Sequence, residues 1–400
     1  MCIERGRIPK RRIITAVTVA ALVYLVSGVY LKAYSSGSGF VSLIQFGSNR
    51  FSQAIPEVRS LPVFISHPLK SKSGYDGQFY AQLSVDPTLN NPNFDKALDN
   101  RVFRSRRIFI PALAHILGFG DPGLVIQVYA VINLFFWIGL VALLLKALPD
   151  HSYRSLLCMI AISLNTGVMD SMRNALTDLP GAVLLLAAVL TQSYRGAGIL
   201  SLAALTRENS ILGLPGLLEF KKEPGSLRKN IVLICIVVIP FLLWVFYTFH
   251  RFPKSSLVNS CAPKGCFYVP FIQIANAITE SYSHIVTKWS GLWAHEGMWK
   301  FLSDIDVRRM FSICLRLTAI GYLFICRKPD SRIWRFGIVY AFVAFFMNWY
   351  EGGDRLFLPM IIGFYVLLAS EKSRLFFPLF LLAGLNLPYT INWLIKSFIF

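Results

Sequence analysis

Charge is scarce in this 400-residue chain. Asp, Glu, Lys and Arg make up 15% of it, where a soluble domain carries roughly 25%. That shortfall excludes an exterior solvated by water alone. Polar linkers rich in Pro, Gly or Ser are also missing, so residues 1–400 read as one multi-pass membrane domain rather than two soluble bodies. Period-two alternation is absent from the apolar runs, which excludes β-strands, and no internal repeat or low-complexity tract is visible. The seven cysteines are scattered: Cys2, Cys158, Cys235, Cys261, Cys266, Cys314 and Cys326. None forms a CxxC array, which excludes a zinc site of that kind. Cys261 and Cys266 share one loop, and either pair in an oxidising compartment or stay as two thiols.

Apolar surface is what the chain has in abundance. Hydrophobic residues reach 55% and aromatics 14%, and several runs approach the ~20 residues a helix needs to cross a bilayer. The formal charge of +19 invites a nucleic-acid partner. The Lys and Arg, however, sit in short clusters between apolar runs, where they set topology instead, and no nucleic acid is expected.

Arg5, Arg7, Lys10, Arg11 and Arg12 precede an apolar run over 13–31 with no clear cleavage site after it. This predicts a retained first helix with a cytosolic N-terminus. Residues 34–122 then form a large first outward loop, whose apolar stretch 108–119 is too short to span and predicts an interfacial or re-entrant helix. Spans are expected at about 123–148, 156–169, 178–194, 230–249, 309–326, 333–350, 356–370 and 375–397, with a second large outward loop at 250–308. Residues 196–219 begin and end beside basic clusters yet are too few for two crossings. They predict two short helices that dip in and return, broken around 209–215, a break that needs protein or water around it. The fold class is therefore all-α, a polytopic transmembrane helical bundle.

This threading gathers the unusual polar residues on one side. The first outward loop holds Tyr75, Asp76 and Gln78, then Arg101, Arg104, Arg106 and Arg107. A second turn holds Arg173, Asn174, Thr177 and Asp178. The tip of the dipping pair holds Arg207 and Glu208, and a later turn holds Glu351, Asp354 and Arg355. Helix ends that meet water account for Glu351 and Asn174. They account poorly for arginines, which the positive-inside bias removes from short outward turns. Arginine kept there points to an anionic ligand, and its fork of donors suits phosphate oxygens. Thr177-Asp178-Leu179-Pro180 reads as a cap with an early-turn proline. The helix N-terminus it opens is either a seat for phosphate or plain capping. Asp76 lies among tyrosines with Gly74 and Gly77 at its flanks. A partly apolar turn can move its pKa toward that of a working base, or the Asp-Gly pair is an Asx-type turn.

At these residues the chain resembles the GT-C superfamily of polytopic glycosyltransferases, closest to its mannosyltransferase-like members. The likeness rests first on Tyr75-Asp76-Gly77-Gln78-Phe79-Tyr80 after one N-terminal helix, and on Arg106-Arg107-Ile108-Phe109-Ile110-Pro111. Thr177-Asp178-Leu179-Pro180, Leu205-Thr206-Arg207-Glu208, and Arg355 with Pro359 four residues on follow in order, over about 75–360. The resemblance implies a helical fold with its active site at the extracytoplasmic face of the cell's inner membrane. It implies a polyprenyl- or dolichyl-phosphate-linked sugar as donor, with inversion at the sugar and a glycan, lipid or protein acceptor. Asp76 would take the acceptor's proton, and Arg107, Arg207 and Arg355 would hold the donor phosphate. Tyr75, Gln78, Arg104, Arg106, Arg173, Asp178 and Glu208 complete the expected binding set. Many relatives carry two adjacent acids where this chain has Asp76-Gly77-Gln78, so a second carboxylate would come from Asp86, Asp178 or Glu208. Some relatives use a divalent metal. No ligand cluster is evident in this sequence, and no cofactor is expected.

A transporter, or a lipid or glycan flippase without transferase chemistry, is the alternative, because broken helices and intramembrane charge serve those proteins too. Repeated halves are absent and the charges lie toward one face, which weighs against it. A catalytically dead scaffold that kept the fold is a third reading. In the second loop His295 and Glu296 are acceptor contacts or simply solvated residues.

Overall fold

The computed structural model describes residues 10–66, 72–148, 152–220, 224–252, 271–295, 304–347, 349 and 353–399. Cys2, Cys261, Cys266, Glu296, Glu351 and the side chain of His295 lie outside that description. Among the described residues the chain is helical throughout, with no strand beyond one isolated bridge between Ser35 and Gly39. Four helical stretches among the described residues are long and apolar enough to cross a membrane: Arg12–Ala33, Pro122–Ala147, Tyr153–Arg173 (interrupted at residues 164–165) and Ser226–Arg251. The pair Phe376–Ala383 and Leu387–Ile395 makes a fifth if it counts as one bent span.

Local chemistry sets the helix starts. The Asp121 carboxylate accepts the Leu124 N–H at 2.8 Å, with Pro122 in the first turn. Ser152, Asn165, Asp304 and Ser331 do the same for the helices that follow them. Each satisfies a donor that the first helical turn leaves unpaired.

Several expected spans take another form. Leu358–Ala369 replaces 356–370 and is buried along its whole length. Twelve residues rise only about 18 Å, short of a hydrocarbon core of about 30 Å, so this helix is the centre of the bundle and not a lipid-facing span. Arg332–Ala344 likewise ends six residues before the expected boundary of 333–350. The run 375–397 bends by 54° between its two helices. Residues 178–219 come close to expectation: Asp178–Thr191 and Ser193–Thr206 lie antiparallel, and a 3₁₀ run, Glu208–Gly216, turns back. The break falls at Arg207, whose backbone is extended, rather than at 209–215. The expected loop 250–308 contains a 24-residue helix, Ile272–His295, packed on Ile305–Ile325.

Two hydrophobic cores result. The larger joins the helices around Leu358–Ala369. The smaller lies within the first loop, where Ile44, Phe46, Phe79, Phe94 and Ile108 pack on Ile126, Tyr129 and Ala130 of the helix Pro122–Ala147. The described residues of 34–122 are thus a packed layer, not a slack connection.

Candidate functional site

Asp76 is held in place by close backbone approaches on both sides. Gly74 adopts φ +69°, and a Cβ there would sit 2.5 Å from the Gly47 amide nitrogen. Gly77 lies against the 174–175 turn, where a Cβ would come within 2.3 Å of the Asn174 carbonyl oxygen. No side chain of ordinary size fits either position. That turn is fixed in its own right: Tyr129 Oη donates to the Ala175 carbonyl at 2.8 Å, and Asn133 Nδ2 donates to Ser171 and Leu176 carbonyls at 2.9 and 3.0 Å. The Asp76 carboxylate makes no cap on the helix Gly77–Val85 that follows it, so the Asx-turn alternative fails. It turns to arginines instead.

Four arginines and four carboxylates meet around it. Arg104 reaches Asp76 at 3.0 Å and grips Asp99 with two bonds of 2.8 Å. Arg107 forks onto both oxygens of Glu208 at 2.8 and 2.7 Å and donates to Tyr80 Oη at 2.7 Å. Arg207 stands 2.7 Å from Asp178. Arg355 contacts Asp76 at 3.5 Å and Asp178 at 4.0 Å, and its guanidinium lies 5.3 Å over the Tyr75 ring. Asp76 and Arg355 are 279 residues apart in sequence, so only the fold brings them together. The Arg355 Nε is buried without a hydrogen-bond partner, as is the Asp178 Oδ1, so the cluster keeps an unused donor.

Burial would raise the Asp76 pKa, but the guanidiniums of Arg104 and Arg355 outweigh it and hold the carboxyl below its ordinary value. This reverses the direction suggested by an apolar turn: Asp76 is ionised at neutral pH and a weaker base than a free aspartate. Glu208 follows the same logic. Burial pushes it up, the Arg107 fork pulls it down further, and it settles at about 2.

A buried anchor sets the position of Arg355. Asp354, one residue earlier, is fully buried and accepts from Thr166 Oγ1, Ser312 Oγ and Arg316 Nε, the last at 3.3 Å. Arg316 is itself buried over the rings of Phe357 and Trp349 and donates to the Trp349 carbonyl. Asp354 therefore does not face solution as an outward-turn residue would. Gly167 lets this turn approach, since a Cβ there would lie 2.6 Å from the Arg355 amide nitrogen.

Other expected contacts fall elsewhere. Gln78 is buried and structural: its amide accepts the Gly47 N–H at 3.1 Å and donates to the Ser73 carbonyl at 3.2 Å. Arg173 is exposed and stacks 5.1 Å over Trp393; it acts on Asp170 and makes no ion pair with Asp76, Asp99, Asp178 or Glu208. Arg106 is half-buried at the end of the helix Arg101–Ser105. Thr177 does not cap the helix Asp178–Thr191; its backbone is not extended, and its buried hydroxyl has no partner. Asp86 organises a local turn by accepting from Thr88, Asn90 and Asn91 N–H groups. Of the three acids weighed as a second carboxylate, Asp178 and Glu208 are in the cluster and Asp86 is not.

Three groups escaped sequence reasoning. Asp99 and Tyr80 hold Arg104 and Arg107; the signal for Asp99 was its place beside the arginine run, and that for Tyr80 its place at the end of the Asp76 motif, where no role was given to it. Asp170, half-buried on the helix Thr166–Arg173, feels Arg173 and Arg355 and acts on Tyr75. It sits where a span was expected to end, which disguised it. Among the described residues no group of three or more His, Cys, Asp or Glu side chains is placed to hold a metal ion.

No protein-family model, curated protein or solved structure matches the chain.

Proposed function

We propose that this chain is a GT-C-type membrane glycosyltransferase that moves a sugar from a lipid-phosphate donor to an acceptor hydroxyl at the extracytoplasmic face. The observation that carries the reading is Arg355 bridging Asp76 and Asp178, with a spare Nε donor beside them. A cluster used only for stability has no need of a half-exposed carboxylate shared between two arginines. A cluster that admits a phosphate does, because the ligand can take the guanidiniums over from the carboxylate.

The chemistry then follows from charge. Free of ligand, Arg104 and Arg355 hold Asp76 ionised but weakly basic. The donor phosphate draws Arg355 toward itself, with Arg207 beyond Asp178. Asp76 loses part of its ion pairing, gains a negative neighbour, and becomes a stronger base. The acceptor oxygen attacks the anomeric carbon from the face opposite the phosphate, and its proton passes to Asp76. The bond between that carbon and the phosphate oxygen breaks, and its electron pair leaves on the lipid phosphate. Arginines placed in advance around that growing charge supply the largest share of the acceleration. Asp170, coupled electrostatically to Arg355 and Tyr75, is suited to accept hydrogen bonds from the acceptor's hydroxyls.

The test is purified Asp76→Asn with a panel of polyprenyl-phosphate hexoses, read as release of lipid phosphate. Loss of a general base is expected to lower turnover about 100- to 10,000-fold while the protein still folds and inserts. Full activity in that variant removes Asp76 from the mechanism. Transport of a lipid-linked sugar across sealed vesicles without any chemical product would favour the flippase reading instead.

A further inference from the structure

At the opposite end of the bundle from Asp76 lies a cavity of about 710 Å³, within the range of small-molecule sites. The helix Asp178–Thr191 leaves the charged cluster, Ser193–Thr206 returns to it, and the 3₁₀ run Glu208–Gly216 descends again to the cavity rim. Its walls mix apolar groups, among them Pro215, Trp334, Ile338 and Val339, with the guanidiniums of Arg332 and Arg335.

These two arginines are near enough to repel each other. Arg335 spends one nitrogen on the Leu218 carbonyl at 2.7 Å and lies 5.1 Å over Phe220. Its Nε and the Arg332 Nη1 are both buried without a hydrogen-bond partner. Two like charges with two unmet donors at one cavity offer a seat to an anion. Of the described acids nearby, Glu219 is paired with Lys229 at 2.6 Å, and Asp330, which attracts Arg335, is exposed to solvent and leaves the Arg335 Nε and Arg332 Nη1 without a hydrogen bond.

We propose that this cavity seats the phosphate of an anionic membrane phospholipid between Arg332 and Arg335, with its acyl chains running along Ile338 and Val339. The volume far exceeds an inorganic phosphate, and half of the wall is apolar. Basic pockets between membrane helices bind lipid headgroups on the same principle. The site is independent of the glycosyltransferase reading.

Native mass spectrometry of the full-length protein tests it, with phosphatidylglycerol, phosphatidylcholine or inorganic phosphate added in turn and thermal unfolding in parallel. Phosphatidylglycerol is expected to be retained about tenfold better than phosphatidylcholine and to raise the melting temperature, with no effect from inorganic phosphate. The double variant Arg332→Gln/Arg335→Gln is expected to lose that preference. Arg195→Gln, which removes an exposed charge at the same end, should keep it. Should the double variant not fold, Val339→Trp fills the cavity, leaves both guanidiniums, and is expected to abolish the preference as well. Equal retention of the two lipids by the wild type overturns the proposal, as does a preference that survives in Val339→Trp. Stabilisation by inorganic phosphate equal to that by phosphatidylglycerol overturns the lipid assignment.

Discussion

The Asp76 carboxylate carries opposite demands, and arginine resolves them. Ion pairing with Arg104 and Arg355 keeps it charged and ready, yet the same pairing weakens it as a base. The proposed mechanism needs the donor to relieve that weakness, which makes a kinetic statement. The acid limb of kcat/KM reports the free enzyme and that of kcat the loaded one. With Asp76 held below its ordinary value only when free, the kcat limb is expected at higher pH than the kcat/KM limb. Coincident limbs would leave Asp76 out of the donor's reach. Glu208 gives the matching stability argument. Its folded pKa of about 2 lies below its ordinary 4.5, so its contribution is complete above pH 4.5 and disappears as pH falls toward 2. Glu208→Gln leaves the buried Arg107 charge without its carboxylate, keeping only the Tyr80 hydroxyl, and is expected to cost about 3–5 kcal/mol with a flatter loss of melting temperature between pH 4.5 and 3. Thermal unfolding at both pH values checks this. At this scale the sequence pointed to Arg207 and Arg355, because arginine in a short outward turn violates a topological bias, and to Asp76 by its glycine-flanked turn; the structure brings the three together. It could not separate Gln78 or Arg173 from them: a polar side chain beside a motif looks the same whether it binds a ligand or braces a backbone.

Elements decide whether those side chains meet. The turn bearing Arg355 is set by Asp354, whose oxygens are taken by Thr166, Ser312 and Arg316, and by the missing side chain at Gly167. Adding one methyl there must move the backbone of residue 355. Gly167→Ala is expected to lower the proposed transferase activity more than tenfold, as misplaced catalytic groups do, while the protein remains folded. Unchanged activity would show that the Arg355 turn is not held where the chemistry needs it. The long helices were legible because a run such as Pro122–Ala147, with Asp121 and Pro122 at its start, states both its length and its beginning. Leu358–Ala369 was not, since a helix apolar on every face reads the same in lipid as in protein. The 54° bend after Ala383 was equally hidden, because hydropathy records that residues are apolar and not the direction the chain takes between them. Buried ion pairs such as Arg316–Asp354 lie beyond sequence reasoning for a related reason. Their charges resemble those of a solvated helix end until the fold encloses them.

The helix Pro122–Ala147 measures the whole molecule. Its first turns sit in the loop core, at Ile126 and Tyr129, and its later turns in the main core, from Trp137 to Leu144. Asn133, between the two, holds the turn beside Asp76 and Asp178. At about 1.5 Å per residue, that level is about 17 Å from one end of the helix and about 21 Å from the other. The charged cluster thus lies at the seam between two cores, between the described residues of 34–122 and the bundle, the place the proposed donor and acceptor would have to reach. Such a placement requires the loop layer and the basic end near Arg195 and Arg332 to face opposite compartments. Single cysteines at Ser73 and Arg195, both exposed, in a background with the native cysteines replaced, test this in sealed vesicles with a membrane-impermeant maleimide. Ser73→Cys is expected to react from one face only and Arg195→Cys only from the other. Labelling of both from the same face would place the cluster and the basic cavity on one side, and a donor held at the seam could not then meet an acceptor across the membrane from the basic end.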